Sequence, residues 1–87
     1  MSRNVQELED VLRALAAAVR ARREQLGMSQ EELAHRAGLH RTYISDVERG
    51  ARNVALKNLV RLADALDMDV ADLFVAEPFR TKGTDTR

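Results

Sequence analysis

The sequence predicts an all-α fold of five helices, and three observations support that prediction. Apolar residues recur at intervals of three and four, and no segment alternates as a β-strand would. Several apolar runs are bounded by helix-capping residues in front and by glycine behind. The chain has 87 residues, 45% of them apolar and 32% charged, which suits one small globular domain.

The first predicted helix is the longest. Arg22 stands where a further apolar residue would continue its stripe, and Gly27 supplies the stop. Asn4 followed by Glu7 has the pattern of a capping box at its start. We interpret the stripe as packing on the core, with pairing of its first two turns to another subunit as the alternative. The stripe consists of Val5, Leu8, Leu12, Leu15, Val19 and Leu26.

Two short helices are predicted next. Ser29 is the expected N-cap of a helix over residues 30–37, and Gly38 ends that helix. A second short helix is expected over residues 41–49. His40 stands before it and is a weak N-cap.

The last two helices complete the predicted domain. One is expected over residues 56–66, where Ala55 offers no capping side chain. Asp69 is the expected cap of a short fifth helix. Periodicity ends near residue 76, so residues 1–76 are the expected domain and residues 77–87 a disordered tail.

Composition excludes several classes of protein. The chain has no cysteine, which excludes disulfides, zinc–thiolate sites and thiol nucleophiles. Three aromatic residues are too few to stack single-stranded bases, and no apolar run reaches the roughly 20 residues that span a bilayer. The polar N-terminus is unlike a secretory signal. We therefore expect a cytoplasmic, nucleoid-associated protein without a membrane partner.

The net charge of zero hides an uneven distribution. Residues 20–61 hold nine basic against five acidic side chains, whereas residues 1–19 and 62–87 are net acidic. A basic central stretch between acidic ends suits a chain with one side facing an anion.

Residues 30–47, QEELAHRAGLHRTYISDV, have the spacing of two short helices that cross through a tight turn. Ala34 is expected under the crossing, where a larger side chain would push the helices apart. Gly38 is expected to leave the first helix with a positive φ. The exposed face of the second helix is then polar and suited to the DNA major groove, with a merely solvated face as the alternative.

The span of residues 15–74 resembles the Cro/C1-type (XRE) helix-turn-helix domain, which has the lambda-repressor-like fold. LGMSQEELAHRAG and YISDVERG stand where that family has its LG-SQEELA and YIS--ERG signatures. LHRTYISDVERGARNVAL is similar to the controller proteins of restriction–modification systems. The resemblance implies a helix-turn-helix motif at residues 30–49 in a homodimeric, autoregulatory transcription regulator that binds a near-palindromic operator in double-stranded DNA.

The same resemblance implies which side chains contact bases. Arg41 opens the recognition helix and can contact guanine O6 and N7 together. Thr42 and Ser45 offer hydroxyls to base edges, and His40 is a further candidate for a base or a phosphate. Asp46 can accept from cytosine N4 or can instead orient a neighbouring arginine.

Phosphate contacts are expected around the recognition helix, where they position the protein without reading sequence. Gln30 begins the first motif helix, whose N-terminus suits a phosphate; a plain helix-start residue is the alternative. The other candidates are Tyr43, Arg49, Arg52 and Asn53, and for Tyr43 the alternative is a ring packed on the core. The resemblance also implies that Arg23 and Glu48 form a structural ion pair instead of contacting DNA.

Dimerisation is expected through the fourth and fifth helices, as in the family. The candidates are Leu66, Met68, Val70 and Leu73, together with Phe79. Val5, Leu8 and Leu12 form the alternative patch, and filling the monomer's own core is the alternative role of the first group.

The sequence favours no enzyme. His35 and His40 have no acidic partner at a useful spacing, and no catalytic arrangement, metal-ligand spacing or glycine-rich phosphate loop is present, so we expect no cofactor, metal or small-molecule effector. RNA polymerase is a candidate partner through Glu31 or Glu32. The alternative function is a protein-interaction or antitoxin-like module.

Overall fold

The computed structural model describes residues 3–74, with side chains from residue 4 onward. Within that range the chain forms four α-helices and a short 3-10 helix and no strand, so the all-α prediction is confirmed. The prediction of five α-helices is wrong, because the five residues of the last element wind into a tighter 3-10 turn. The elements are α1 (Arg3–Gln25), α2 (Gln30–Ala37), α3 (Arg41–Glu48), α4 (Leu56–Ala65) and the 3-10 helix (Val70–Phe74). The predicted tail at 77–87 and Phe79 lie outside the described residues.

The N-terminal part of α1 is more exposed than the part that packs on the core. It begins at Arg3, so Asn4 lies inside the helix and is not the predicted N-cap. Leu15 and Val19 are buried, but Val5 and Leu8 are each 44% exposed. The predicted core stripe is therefore wrong at these two residues and at Leu26, which is 41% exposed.

The core is assembled from all five elements. Ile44, Leu62 and Leu73 are completely buried. Among the described residues, no polar or charged residue is buried when its backbone and side chain are taken together. The contiguous core cluster consists of Leu15, Val19, Met28, Leu33, Ala34, Ala37, Ile44, Val47, Leu59, Leu62, Ala63, Leu66 and Leu73.

Helix α2 and the turn that joins it to α3 are built as predicted. The Ser29 hydroxyl accepts a hydrogen bond from the Glu32 backbone N–H at 3.0 Å, which caps α2. Ala34 is 4% exposed, and its carbonyl accepts from the Leu39 N–H at 2.9 Å. Gly38 has φ of +71°, the left-handed conformation that closes the helix. The helix-turn-helix geometry is thus set by residues that the spacing singled out.

Helices α3 and α4 begin without a side-chain cap. Neither His40 nor Ala55 makes a capping hydrogen bond, as the sequence predicted. The starts of both helices are consequently less stable, by about 1 kcal/mol each, than a serine or aspartate cap would make them.

The end of α4 shows why a charged residue interrupts the stripe of α1. The Arg22 Nε donates to the Leu66 carbonyl at 2.9 Å, and its Nη2 donates to the Asp67 carbonyl at 3.3 Å. Both carbonyls lie at the negative end of the α4 dipole, where a cation is favoured. The same turn holds Asp67 at φ of +56°, a left-handed conformation that the sequence did not predict.

We expect Asp67→Gly to stabilise the protein. The Met68 N–H donates to the Ala63 carbonyl at 3.0 Å across this turn, so position 67 must stay left-handed, which costs an L-residue about 1 kcal/mol. Urea unfolding followed by circular dichroism should show a gain of about 0.5–1 kcal/mol. Asp67→Ala is the control, since it also removes the carboxylate but keeps the Cβ; a gain as large in that variant would contradict the conformational explanation.

Candidate nucleic-acid interface

Helix α3 separates an apolar face from a polar one. Ile44 and Val47 are 0% and 1% exposed and fix the helix to the core. On the other side Arg41 and Thr42 are exposed, and Ser45 is half-buried. The predicted base-contacting side chains therefore share one accessible face, which begins at the exposed His40.

A buried ion pair holds α3 against α1. The Arg23 Nε lies 2.7 Å from the Glu48 Oε2, and its Nη2 donates to Oε1 at 3.0 Å. The two side chains are 12% and 4% exposed, and the hydrogen bond to Glu48 raises the pKa of Arg23. Arg23 also donates to the Met28 carbonyl at 2.8 Å, which fixes the α1–α2 turn. The predicted structural pair is confirmed.

Arg41 is connected to that pair through Gln30. The Gln30 Nε2 donates to the Glu48 Oε1 at 3.1 Å, and the Gln30 Oε1 accepts from the Arg41 Nη1 at 3.3 Å. Gln30 thus does more than start a helix, because its amide orients the arginine at the head of the recognition helix. A phosphate contact by Gln30 stays a prediction.

A second polar cluster lies at the other end of α3. The Asp46 carboxylate accepts from Arg49, and its other oxygen accepts from the Arg52 Nη2 at 3.2 Å. Arg49 also donates to the Ser45 hydroxyl at 2.8 Å. The hydrogen bond from Arg52, followed by the one from Arg49, lowers the pKa of Asp46. Asp46 therefore orients the two downstream arginines; no contact between Asp46 and Arg41 is among the hydrogen bonds or ion pairs of the described residues.

Tyr43 combines packing with a polar contact. Its ring is half-buried against the core, which is the alternative that the sequence left open. Its hydroxyl accepts from the Asn58 Nδ2 at 3.0 Å, and the Arg52 guanidinium lies 4.7 Å from the ring centroid. The hydroxyl proton remains available to an acceptor such as a phosphate. Sequence reasoning missed Asn58, since nothing in the spacing of α4 marks it, whereas Asn53 is exposed in the loop as expected.

The dimer-surface candidates separate into two groups. Leu66 and Leu73 are 0% exposed and fill the monomer's core, so the assignment of these two to a dimer surface is corrected. Met68 and Val70 are half-buried at the outer side of the core, where part of each side chain remains accessible.

The described part of the chain offers neither a metal site nor a membrane-spanning helix. No group of three or more histidine or acidic side chains there is placed to hold a metal ion. None of the helices there has the length and apolarity that crossing a bilayer requires.

Comparison with known proteins identifies the family. A family model described as helix-turn-helix matches residues 19–73, more than half of the chain. The chain belongs to the XRE-type helix-turn-helix family. The match contains the whole α2–α3 motif and leaves residues 3–18, most of α1, outside it.

Named relatives of this XRE-type protein include controller proteins. The control protein C.SmaI of Serratia marcescens is 44% identical over 73 residues, which cover 84% of this chain and 87% of that protein. The crystal structure of the restriction–modification controller C.AhdI from Aeromonas hydrophila superposes with a TM-score of 0.71 at 46% identity, covering 72% of this chain and 96% of that one. The controller C.Esp1396I, a tetramer in complex with its 35-base-pair operator, superposes with a TM-score of 0.68 at 34% identity over 74% of this chain and 84% of that one.

We expect the contributions of Arg23 and Glu48 to the free energy of unfolding to depend on each other. Glu48→Ala leaves a nearly buried guanidinium without its anion and should lower the free energy of unfolding by about 3 kcal/mol. Arg23→Ala combined with Glu48→Ala should cost less than the sum of Arg23→Ala and Glu48→Ala alone, because no unpaired charge remains. Urea unfolding of the four proteins in a double-mutant cycle measures the difference; strictly additive costs would show that the pair is not coupled.

Proposed function

We propose that this protein is a homodimeric, sequence-specific regulator of transcription that binds double-stranded DNA. The observation that carries the proposal is the exposed polar face of α3, whose leading arginine is held by a hydrogen-bonded chain from a buried ion pair. A fixed donor on a rigid helix is what reading a base edge requires, because a mobile side chain would lose entropy at every contact. The controller relatives support the same function.

Base reading falls to the N-terminal half of α3. Arg41 is proposed to contact guanine O6 and N7, while Thr42 offers its hydroxyl and methyl groups to neighbouring bases. Ser45 lies one turn further along the same face, and His40 precedes the helix. All four are side chains that α3 or its N-cap presents to solvent, in the position of the recognition helix of this motif.

Phosphate contacts are proposed to flank these base contacts. Arg49, Arg52 and Asn53 follow the recognition helix, and the Tyr43 hydroxyl retains a proton to donate. Gln30 lies at the capped N-terminus of α2, where backbone N–H groups and the helix dipole favour an anion. Such contacts set the register of the protein on the duplex and contribute most of the salt dependence.

The dimer is proposed to use α4 and the 3-10 helix. Met68 and Val70 keep part of their surface accessible, and Leu56, Val60 and Phe74 on the same two elements are exposed apolar side chains. A two-fold dimer would place its recognition helices about 34–36 Å apart, which suits a near-palindromic operator.

Regulation is proposed to depend on protein concentration and on the operator. The likeness to controller proteins supports autoregulation and the control of a restriction–modification operon. Glu31 and Glu32 are exposed at the start of α2 and are the proposed contact for RNA polymerase. The relatives do not favour the interaction-module alternative.

Selection of bound duplexes from a random pool, at about 0.15 M salt, tests the function directly, because nonspecific phosphate binding is weakened there. Enrichment of a near-palindrome with half-sites about 10 base pairs apart would establish the dimeric regulator and give its operator. Folded, dimeric protein that enriches nothing would refute the proposal.

We expect Arg41→Ala and Arg52→Ala to act differently on DNA binding. Loss of a bidentate base contact should cost about 1–3 kcal/mol on the operator and relax the preference at one base pair of each half-site. Loss of the Arg52 phosphate contact should weaken operator binding without changing the base preference and make the salt dependence on the operator shallower by about 1 per protomer. Fluorescence anisotropy over a salt series measures both. Arg61→Ala, which removes an exposed arginine of α4, is the control, and an equal effect there would point to charge alone.

We expect Val70→Lys to weaken the dimer. A charge inside a dimer contact must lose its hydration, so the dimer dissociation constant should rise at least about tenfold. Sedimentation at several concentrations measures it, with circular dichroism to verify the fold. Leu8→Lys makes the same change on the alternative patch of α1; dissociation caused by Leu8→Lys instead would transfer the interface to that helix.

A further inference from the structure

Asp46 is a negative charge on the face that is proposed to meet DNA phosphates. A carboxylate there opposes binding to a polyanion unless it has another task. In the free protein its oxygens are occupied by two arginines from different segments. Arg49 is the C-cap residue that follows the recognition helix, and Arg52 lies three residues later in the loop before α4.

The arrangement resembles the way in which arginines hold a phosphate. Two guanidinium groups converge on the two oxygens of one anion, which is also how they bind the oxygens of a phosphodiester. The Asp46 side chain is 20% exposed, whereas those of Arg49 and Arg52 are 61% and 46% exposed. The arginine side chains are accessible, but each already donates a hydrogen bond to the Asp46 carboxylate.

Other contacts hold the same arginines along α3. Arg49 donates a second hydrogen bond to the Ser45 hydroxyl at 2.8 Å. The Arg52 guanidinium lies over the Tyr43 ring, 4.7 Å from its centroid. The hydrogen bonds that Asp46 accepts from Arg52 and Arg49 lower the pKa of Asp46, so its carboxylate stays charged at the pH of DNA binding and competes there with phosphate.

We propose that Asp46 determines specificity by competing with DNA phosphates for Arg49 and Arg52, which suppresses binding to unrelated sequences. The inference rests on the proposed function. Binding to unrelated DNA is almost wholly a phosphate interaction, so withholding two arginines weakens it directly. On an operator, base contacts by Arg41 and Thr42 bring α3 deep enough for phosphates to replace the carboxylate. Asp46 then weakens binding to unrelated DNA more than it weakens binding to the operator.

Arg41 takes no part in the competition between Asp46 and phosphates. Its contact runs through Gln30 to Glu48 and does not include Asp46. Substitution of Asp46 should therefore leave base reading intact while it frees the phosphate-binding arginines. That separation makes the proposal testable without loss of operator recognition.

The test is Asp46→Asn, measured on the selected operator and on a scrambled duplex of the same length. Freed arginines should tighten scrambled binding by about tenfold and operator binding by less than about threefold, so the ratio of the two affinities falls. The salt dependence on scrambled DNA should become steeper by up to about 2 per protomer. Arg49→Gln and Arg52→Gln added together to Asp46→Asn should abolish the gain.

Asp10→Asn is the matched control. Asp10 accepts from Arg13 three residues later on α1, as Asp46 accepts from Arg49, and the substitution changes the net charge equally. It should alter both affinities by less than about twofold. Thermal unfolding of both variants verifies that each is folded, and Asp46→Ser serves as a second variant with the same expected result.

Three results would overturn the inference. Equal effects of Asp46→Asn and Asp10→Asn would show that only net charge matters. A weaker operator complex with an altered preference at one base pair would show that Asp46 reads a base. Wild-type protein that binds no DNA would remove the proposed function itself, whereas the first two results would leave it standing.

Discussion

The ion pair between Arg23 and Glu48 is the interaction on which the rest of the structure depends. It joins α1 to the end of α3, and through the Met28 carbonyl it also fixes the turn into α2. Removing two charges from water is costly, and the bidentate geometry with additional hydrogen bonds offsets that cost. A small domain has a thin core, so a polar contact that orients three elements at once matters more here than in a larger protein.

The two ends of α3 restrain their arginines for opposite purposes. At the N-terminal end, Gln30 connects the Arg23–Glu48 pair to Arg41, the residue proposed to read a base. At the C-terminal end, Asp46 keeps Arg49 and Arg52 on the protein until phosphates displace it. One short helix thus carries a fixed contact and a releasable one. The difference follows from burial, since the Glu48 side chain is 4% exposed, whereas that of Asp46 is 20% exposed and its partner Arg49 is 61% exposed.

Local features of the chain were predictable because their causes lie within a few residues. The spacing placed α2 within its observed bounds, and Ser29 and Gly38 act at its two ends as predicted. The division of α3 into a buried face and an accessible face also follows from its helical periodicity. Predictions failed where the outcome depended on tertiary contacts: Val70–Phe74 form a 3-10 helix, and Val5 and Leu8 of the predicted core stripe are exposed.

The sequence by itself determined the helix-turn-helix and the residues on its polar face, because both depend on local propensity and period. The family resemblance added the Arg23–Glu48 pair. Only the tertiary structure decided how the polar side chains are connected. Arg22 reaches the end of α4 across 44 residues of chain, and Asn58 reaches Tyr43 across 15. It also decided that Leu66 belongs to the core and Met68 to its edge, two residues apart. Such contacts depend on where distant elements cross, and periodicity along one helix contains no information about that crossing.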